Sequence, residues 1–253
     1  MTTIGTFIKK HLTAVLFFCL TTLAYGQNIT IYTIGDSTMA NKPDTEQNPE
    51  RGWAQMLPEI FNKDITIVNK AVNGRSTRSF INEGRWEEVY QMLQPGDYVF
   101  IQFGHNDQKV KSPDRYTNPH TAYRHHLIKF VNQTRDKEAI PILFSSIVRR
   151  NFNDQGTLID THGAYPLETR LVAQQYGVDF IDLQYLTEVL EMRYGVEKSK
   201  ELHLHYSEGE IPYYPKGKKD DTHLSVKGAR EVCNLVAQQL KAAKHPLSNY
   251  LIQ

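Results

Sequence analysis

"YVFIQFG", residues 98–104, is an almost unbroken apolar run bounded by the turn-forming "QPGD" at 94–97 and by Gly104. A strand with one face in water alternates apolar and polar residues. A run without alternation suits a strand buried on both faces, and such strands belong to parallel sheets covered by helices. Four other stretches read as strands: "NITIYTIG" at 28–35, "DITIVNKAV" at 64–72, "AIPILFSSIV" at 139–148 and "VDFIDL" at 178–183. Between them lie stretches of helical period. These are "GWAQMLPEIF" at 52–61, broken or kinked at Pro58, then Arg85 to Leu93 and the stripe of Tyr123, Leu127, Phe130 and Val131. Ala164–Gln175 and Leu183–Tyr194 follow, and Ser225 to Ala243 forms an amphipathic helix with Ser225 as its N-cap. Strands alternating with helices predict an α/β sandwich around a five-stranded parallel sheet; the stretch between Tyr194 and Ser225 reads as irregular.

Parallel sheets of this kind place ligands at the carboxyl ends of their strands. The polar clusters that follow the first three strands are "GDST" (35–38), "NGRSTR" (73–78) and "GHND" (104–107), so all three are expected along one edge. In "IYTIGDSTMA" (31–40), Ser37 either caps a helix or attacks a substrate, and a strand-to-helix turn permits both. Ester hydrolysis by serine needs a base for its proton, a group that orients the base, and donors aimed at the developing oxyanion. "DDTHLS" (220–225) supplies His223 as a base, with Asp220 three residues before it, so that both side chains can turn to one side of a tight loop. Asp221 is nearer in sequence, but neighbouring side chains diverge. Gly74 lets a backbone N–H approach a substrate closely, and the Asn106 amide can donate to an oxyanion.

The ends and the charge balance narrow the classes. Lys9, Lys10 and His11 precede the short apolar run "LTAVLFFCLTTL", and Ala24 and Gly26 are small residues before Gln27. Residues 1–26 therefore read as a signal peptide, with 27–253 as a single domain exported to a periplasm or secreted, and with no membrane attachment in the mature form. The chain of 253 residues carries 29 Lys and Arg against 28 Asp and Glu. Loss of Lys9 and Lys10 leaves a net charge of −1, no global field for nucleic acid or anionic membranes. Cys233 is then the only cysteine and recurs at helical spacing with Val226, Ala229, Val236 and Leu240, as a buried small apolar residue does.

Other features carry less. His203 and His205 in "LHLHY" lack a third partner at ligand spacing, and His125 and His126 are adjacent on a helix, so no metal site is expected. "KGKK" at 216–219 is offset by Asp220 and Asp221 and reads as a solvated loop. No GxGxxG or P-loop pattern occurs. Arg75, Arg78, Arg149 and Arg150 follow strands that end at the active edge and would suit the carboxylates of an acidic polysaccharide. Tyr213 and Tyr214 in "IPYYP" could stack on sugar rings.

"IGDSTMA", "GRSTRSFINEGRW", "GDYVFIQFGHNDQK" and "DDTHLSVKGA" together resemble the sequence blocks of SGNH (GDSL-type) hydrolases, and more narrowly those of rhamnogalacturonan acetylesterases. The resemblance runs through nearly all of the mature chain; Thr38 departs from the frequent Gly-Asp-Ser-Leu block. It implies a flavodoxin-like α/β/α fold and a serine esterase that removes acetyl groups from an acetylated polysaccharide or oligosaccharide. Ser37 would be the nucleophile, His223 the general base and Asp220 its partner. Ser37 N–H, Gly74 N–H and the Asn106 side chain would form the oxyanion hole, and no metal or organic cofactor is implied. The same residues leave open an acetylxylan or short-chain ester hydrolase, a carbohydrate-binding protein without catalysis, and any oligomeric state.

Overall fold

The computed structural model describes residues 29–43 and 47–252, so the leader expected at 1–26 lies outside the described residues. Five parallel strands form the central sheet: β1 (Ile29–Gly35), β2 (Ile65–Asn69), β3 (Tyr98–Gln102), β4 (Ile140–Phe144) and β5 (Asp179–Ile181). Their order is β2-β1-β3-β4-β5, with β1 flanked by β2 and β3. The chain leaves β1 for one side of the sheet and later returns on the other, so the crevice beyond β1 and β3 is the topological switch point of a flavodoxin-like order.

The unbroken apolar run of β3 serves two cores. Tyr98 and Phe100 face one layer, and Val99 and Ile101 face the other, as the period of two requires. On the first face, the 3-10 helix Trp53–Glu59 contributes Trp53 and Leu57, and helix α6 (Val226–Ala242) contributes Val232, Cys233, Val236 and Leu240. On the second face lie α1 (Thr77–Asn82), α2 (Arg85–Met92), α3 (Arg124–Asp136) and α4 (Ala164–Tyr176), represented by Phe80, Trp86, Phe130 and Val172. Helix α5 (Leu183–Lys198) adds Leu183 to the first core. The result is a three-layer α/β/α sandwich.

Several local expectations are corrected. The segment at 52–61 winds as a 3-10 helix, because its close approach to residues 38–40 leaves the tighter turn in place around Pro58. Helix α5 runs on to Lys198 through Gly195, whose positive φ of 72° kinks it. The short helix α1 is opened by Ser76, whose hydroxyl accepts from Ser79 N while Ser79 Oγ accepts from Ser76 N. The stretch expected to be irregular contains an antiparallel hairpin of β6 (His203–Tyr206) and β7 (Lys218–Leu224). Ser225 caps α6 as expected, its Oγ accepting from Gly228 N at 3.1 Å.

Candidate active site

The turn after β1 is organised by Asp36, not by Ser37. No helix follows Ser37; the chain makes a single turn closed by Met39 N and Ala40 N on the Asp36 carbonyl. The Asp36 carboxylate accepts from Thr38 N and Thr38 Oγ1, both at 2.9 Å, which does the work expected of a serine cap and leaves the Ser37 hydroxyl free to point elsewhere. Behind this turn a fully buried chain of polar groups anchors it to the sheet. Trp53 Nε1 donates to Gln102 Oε1 at 2.8 Å, Gln102 Nε2 donates to Thr38 Oγ1 at 2.7 Å, and His105 Nδ1 donates to Asp36 Oδ2 at 3.2 Å. Burial would push the Asp36 carboxyl up, but His105 and Thr38 bring it below its ordinary range. Burial likewise holds the His105 imidazole below its ordinary value. Such a network fixes one conformation, since any rearrangement would strand a buried polar group.

Ser37 and His223 are 186 residues apart in sequence, yet Ser37 Oγ lies 3.0 Å from His223 Nε2. His223 Nδ1 donates to Asp220 Oδ2 at 2.9 Å, so the Nδ1 proton is committed and Nε2 is left to accept the serine proton. The other oxygen, Asp220 Oδ1, accepts from Thr222 N and His223 N, both at 3.0 Å. Burial pushes the Asp220 carboxyl up; the ring and the two backbone donors outweigh it and hold it well below the ordinary carboxylate range.

The expected tight loop is a bulge in β7. Asp220 pairs with Leu204 and Leu224 with the adjacent His203, so Asp221, Thr222 and His223 have no cross-strand partner. A regular strand would send residues three apart to opposite faces; the bulge returns both to one side. Asp221 diverges as expected, to His205 Nε2 at 2.8 Å and Arg150 at 2.9 Å. The bulge is tied down from below by a group the sequence reading missed. The His223 carbonyl can only accept, so His203 Nδ1 donates to it at 3.2 Å, while His203 Nε2 meets Glu191 Oε1 of α5 at 2.6 Å. His203 and Glu191 are both buried. The two histidines of "LHLHY" are thus engaged by Glu191 and Asp221, and no cluster of three or more potential metal ligands occurs among the described residues.

A cavity of about 330 Å³ opens over Ser37, lined also by Gly74, Asn106, Asp220 and His223. Gly74 takes φ +76°, a backbone that side-chain-bearing residues resist, and so keeps its peptide edge bare toward the cavity. Asn106 is 2% exposed and its Nδ2 donates to the Arg75 carbonyl at 3.1 Å, which leaves the second amide proton for another acceptor. Gly104 permits this placement: at φ +142°, a Cβ there would meet Ser146 Oγ at 2.3 Å.

The remaining lining is Lys42, Glu50, Asn73, Lys109 and Lys218. Lys42 is nearly buried, bonded to Asn73 Oδ1 at 2.5 Å and paired with Glu50 at 2.9 Å. Burial and the charges of Arg115 and Arg149 lower the Lys109 ammonium. Lysines therefore line the cavity, where arginines were expected. Arg75 is paired with Glu83 at 3.0 Å and donates to the Asn73 carbonyl; Arg149 donates to Thr161 Oγ1 and the His105 carbonyl. Arg150 is held by Asp221 and Ser199, and Arg78 lies on α1 where its charge bears on His126 of α3. Tyr213 is exposed, its ring edge-on to Tyr214, while burial and the nearby Glu50 push the Tyr214 hydroxyl up to about 12. Of the lysines, Lys109 had a signal in sequence, three residues after Asn106 in "GHNDQK". Lys218 lay in "KGKK", and Lys42 sat in no pattern.

The chain is similar to known proteins over most of its length. Residues 33–231 match the model of the GDSL-like lipase/acylhydrolase family. The chain is 38% identical to rhamnogalacturonan acetylesterase RhgT of Bacillus subtilis over 88% of its own length and 94% of the relative's. It is 31% identical to the probable rhamnogalacturonan acetylesterase YesY of the same organism, over 88% and 97% of the two chains. The fold superposes on the crystal structure of protein YxiM of Bacillus subtilis with a TM-score of 0.74 and 27% identity, over 87% of this chain and 58% of that longer one. With the blocks around Ser37, Gly74, Asn106 and Asp220–His223 all inside the matched span, the chain belongs to the GDSL-like lipase/acylhydrolase family.

Proposed function

We propose that the protein is a carbohydrate O-acetylesterase that removes acetyl groups from rhamnogalacturonan. The observation that carries the chemistry is the continuous relay from Ser37 Oγ through His223 to Asp220, with spacings of 3.0 and 2.9 Å. His223 Nε2 takes the Ser37 proton as Oγ attacks the acetyl carbonyl, and the imidazolium is stabilised by Asp220. The tetrahedral oxyanion is received by the Ser37 and Gly74 N–H groups and the second Asn106 amide proton. Collapse returns the proton to the departing sugar oxygen and leaves Ser37 acetylated. Water, deprotonated by His223, attacks the acetyl-enzyme; acetate leaves, and the proton goes back to Ser37.

The substrate reading is supported by the two Bacillus relatives, each related over most of its length, and by Lys109 in the catalytic cavity, which forms no ion pair among the described residues and suits a polymer that carries carboxylates. Residues 27–253 act as one unit after removal of a leader at 1–26, which places the enzyme in a periplasm or outside the cell. Acetate release from acetylated rhamnogalacturonan, compared with acetylated xylan, tests the substrate; faster release from xylan would overturn it. Ser37→Ala should abolish release from either, and equal slow hydrolysis by both proteins would remove the esterase reading. N-terminal sequencing of the protein from culture medium or periplasm checks the leader, with Gln27 as the expected first residue.

A further inference from the structure

A second cavity of about 380 Å³ adjoins the catalytic one. Its lining is Lys200, His205, Tyr206, Ser207, Lys218 and Lys219, and Lys218 lines both cavities. The β6–β7 hairpin builds it: Tyr206 pairs with Lys218 and His205 with Lys219, so two lysines of "KGKK" are set beside an aromatic ring and an imidazole. The register that bulges His223 toward Ser37 therefore also places these cations next to the catalytic cavity.

The lining contains no carboxylate. His205 is already held by Asp221, and Lys200 pairs with Glu197, which is 82% exposed and so screened by water. Lys219 makes no ion pair among the described residues. Lys218 pairs with Asp220 at 3.4 Å, so of the three ammonium groups around the hollow Lys219 is the one with no carboxylate partner among the described residues, and Lys200 has only an exposed one. Tyr206 is half-buried, with the Tyr214 ring 5.9 Å away, which gives the hollow an aromatic wall of the kind that sugar rings pack against. The volume falls in the range of small-molecule sites.

We propose that this cavity is a second subsite, which binds the carboxylate of a uronate residue further along the polysaccharide while the acetylated residue occupies the cavity over Ser37. The subsite rests on the acetylesterase reading above and adds to it the residues that select an acidic polymer. Lys219 and Lys200 are the discriminating contacts, and Lys218 bridges the two cavities.

The test uses the double variant Lys200→Ala/Lys219→Ala, because neither residue lines the catalytic cavity. Kinetics are measured on acetylated rhamnogalacturonan oligosaccharides and on 4-nitrophenyl acetate, a neutral ester too small to reach from Ser37 to Lys200 and Lys219 in the second cavity. The expected result is a KM on the oligosaccharides raised roughly threefold to tenfold, as for the loss of two exposed charge contacts, with kinetics on 4-nitrophenyl acetate unchanged. Wild-type KM on the oligosaccharides should also rise between about 0.02 M and about 0.3 M salt, and that rise should flatten in the variant. Lys200→Arg/Lys219→Arg should restore wild-type behaviour. If the alanine variant loses nothing on the oligosaccharides, or loses equally on both substrates, the subsite is overturned while the esterase reading stands. Wild type that cleaves 4-nitrophenyl acetate but releases no acetate from rhamnogalacturonan would overturn the substrate reading, and the subsite with it.

Discussion

Asp220→Asn isolates the orienting function of one atom. In the native protein Asp220 Oδ1 accepts two backbone N–H groups and Oδ2 accepts His223 Nδ1–H. The asparagine has the same shape, but only one of its two terminal groups can accept. If its oxygen keeps the Thr222 and His223 N–H bonds, its NH₂ faces Nδ1 and forces the proton onto Nε2. His223 then presents a donor to Ser37 and cannot take the serine proton. If the amide flips, the imidazole recovers the right tautomer, but two backbone donors lose their acceptor at about 1–3 kcal/mol each. At 1.36 kcal/mol per decade, the productive arrangement is depleted by about two to four orders of magnitude. Loss of the carboxylate charge that steadies the imidazolium adds to this. The expected fall in kcat is about 10³ to 10⁴, similar to what removing the carboxylate does in other serine triads. The assay is hydrolysis of 4-nitrophenyl acetate at saturation, with Tm from circular dichroism as the check on the fold. Asp221→Asn is the matched control and should retain near-native kcat, because its carboxylate serves His205 and Arg150. An Asp220→Asn protein that stays within about tenfold of wild type with an unchanged Tm would refute the tautomer argument.

Asn106→Ala should lower kcat by about two to three orders of magnitude with little change in KM, measured on the same ester, since the amide acts on charge that develops after binding. His203→Ala removes the donor to the His223 carbonyl and strands Glu191, so both Tm and kcat should drop. In the pair His203→Leu/Glu191→Leu the Tm should largely recover, yet kcat should stay about tenfold to a hundredfold low at unchanged KM, because the bulge has lost its tether. Recovery of both would show that the pair is structural alone. Asp107 has its pKa raised to about 7, chiefly by burial, against hydrogen bonds from Thr77 and Thr117. A carboxyl whose folded value lies above its ordinary 3.8 stabilises the fold at low pH and loses that contribution as pH rises through about 7. Chemical denaturation from about pH 5 to about pH 8 should therefore show wild type losing stability relative to Asp107→Asn, and parallel curves would contradict this.

Much of the architecture was legible because short apolar runs bounded by turn residues, alternating with helical stripes, fit a parallel sheet covered by helices. "YVFIQFG" announced β3, and the alternation of such runs with helical stripes announced the three layers. The β6–β7 hairpin was not legible. β6 is only four residues long, and β7 carries Lys, Asp, Thr and His in place of an apolar alternation, because it lies at the active edge and serves chemistry before packing. The 3-10 winding of residues 53–59 was hidden for a different reason. Its apolar content fits a helix, and only contact with the turn after Ser37 set its pitch.

The site divides in the same way. Residue types and chain order nominated Ser37, Gly74, Asn106, Asp220 and His223, because nucleophile, donors, base and orienter are chemically distinct, and the resemblance to SGNH hydrolases gave each its role. They could not reveal that Asp36 holds the turn, that a three-residue bulge brings Asp220 and His223 to one side, or that His203 and Glu191 support it. Nor could they tell that Arg75, Arg149 and Arg150 are taken up by carboxylates, carbonyls and hydroxyls while lysines line the cavity. Identity and order are one-dimensional and survive in the sequence. Which cation remains without a partner, and which way a ring nitrogen faces, depends on groups tens of residues apart, and only the folded chain brings those together.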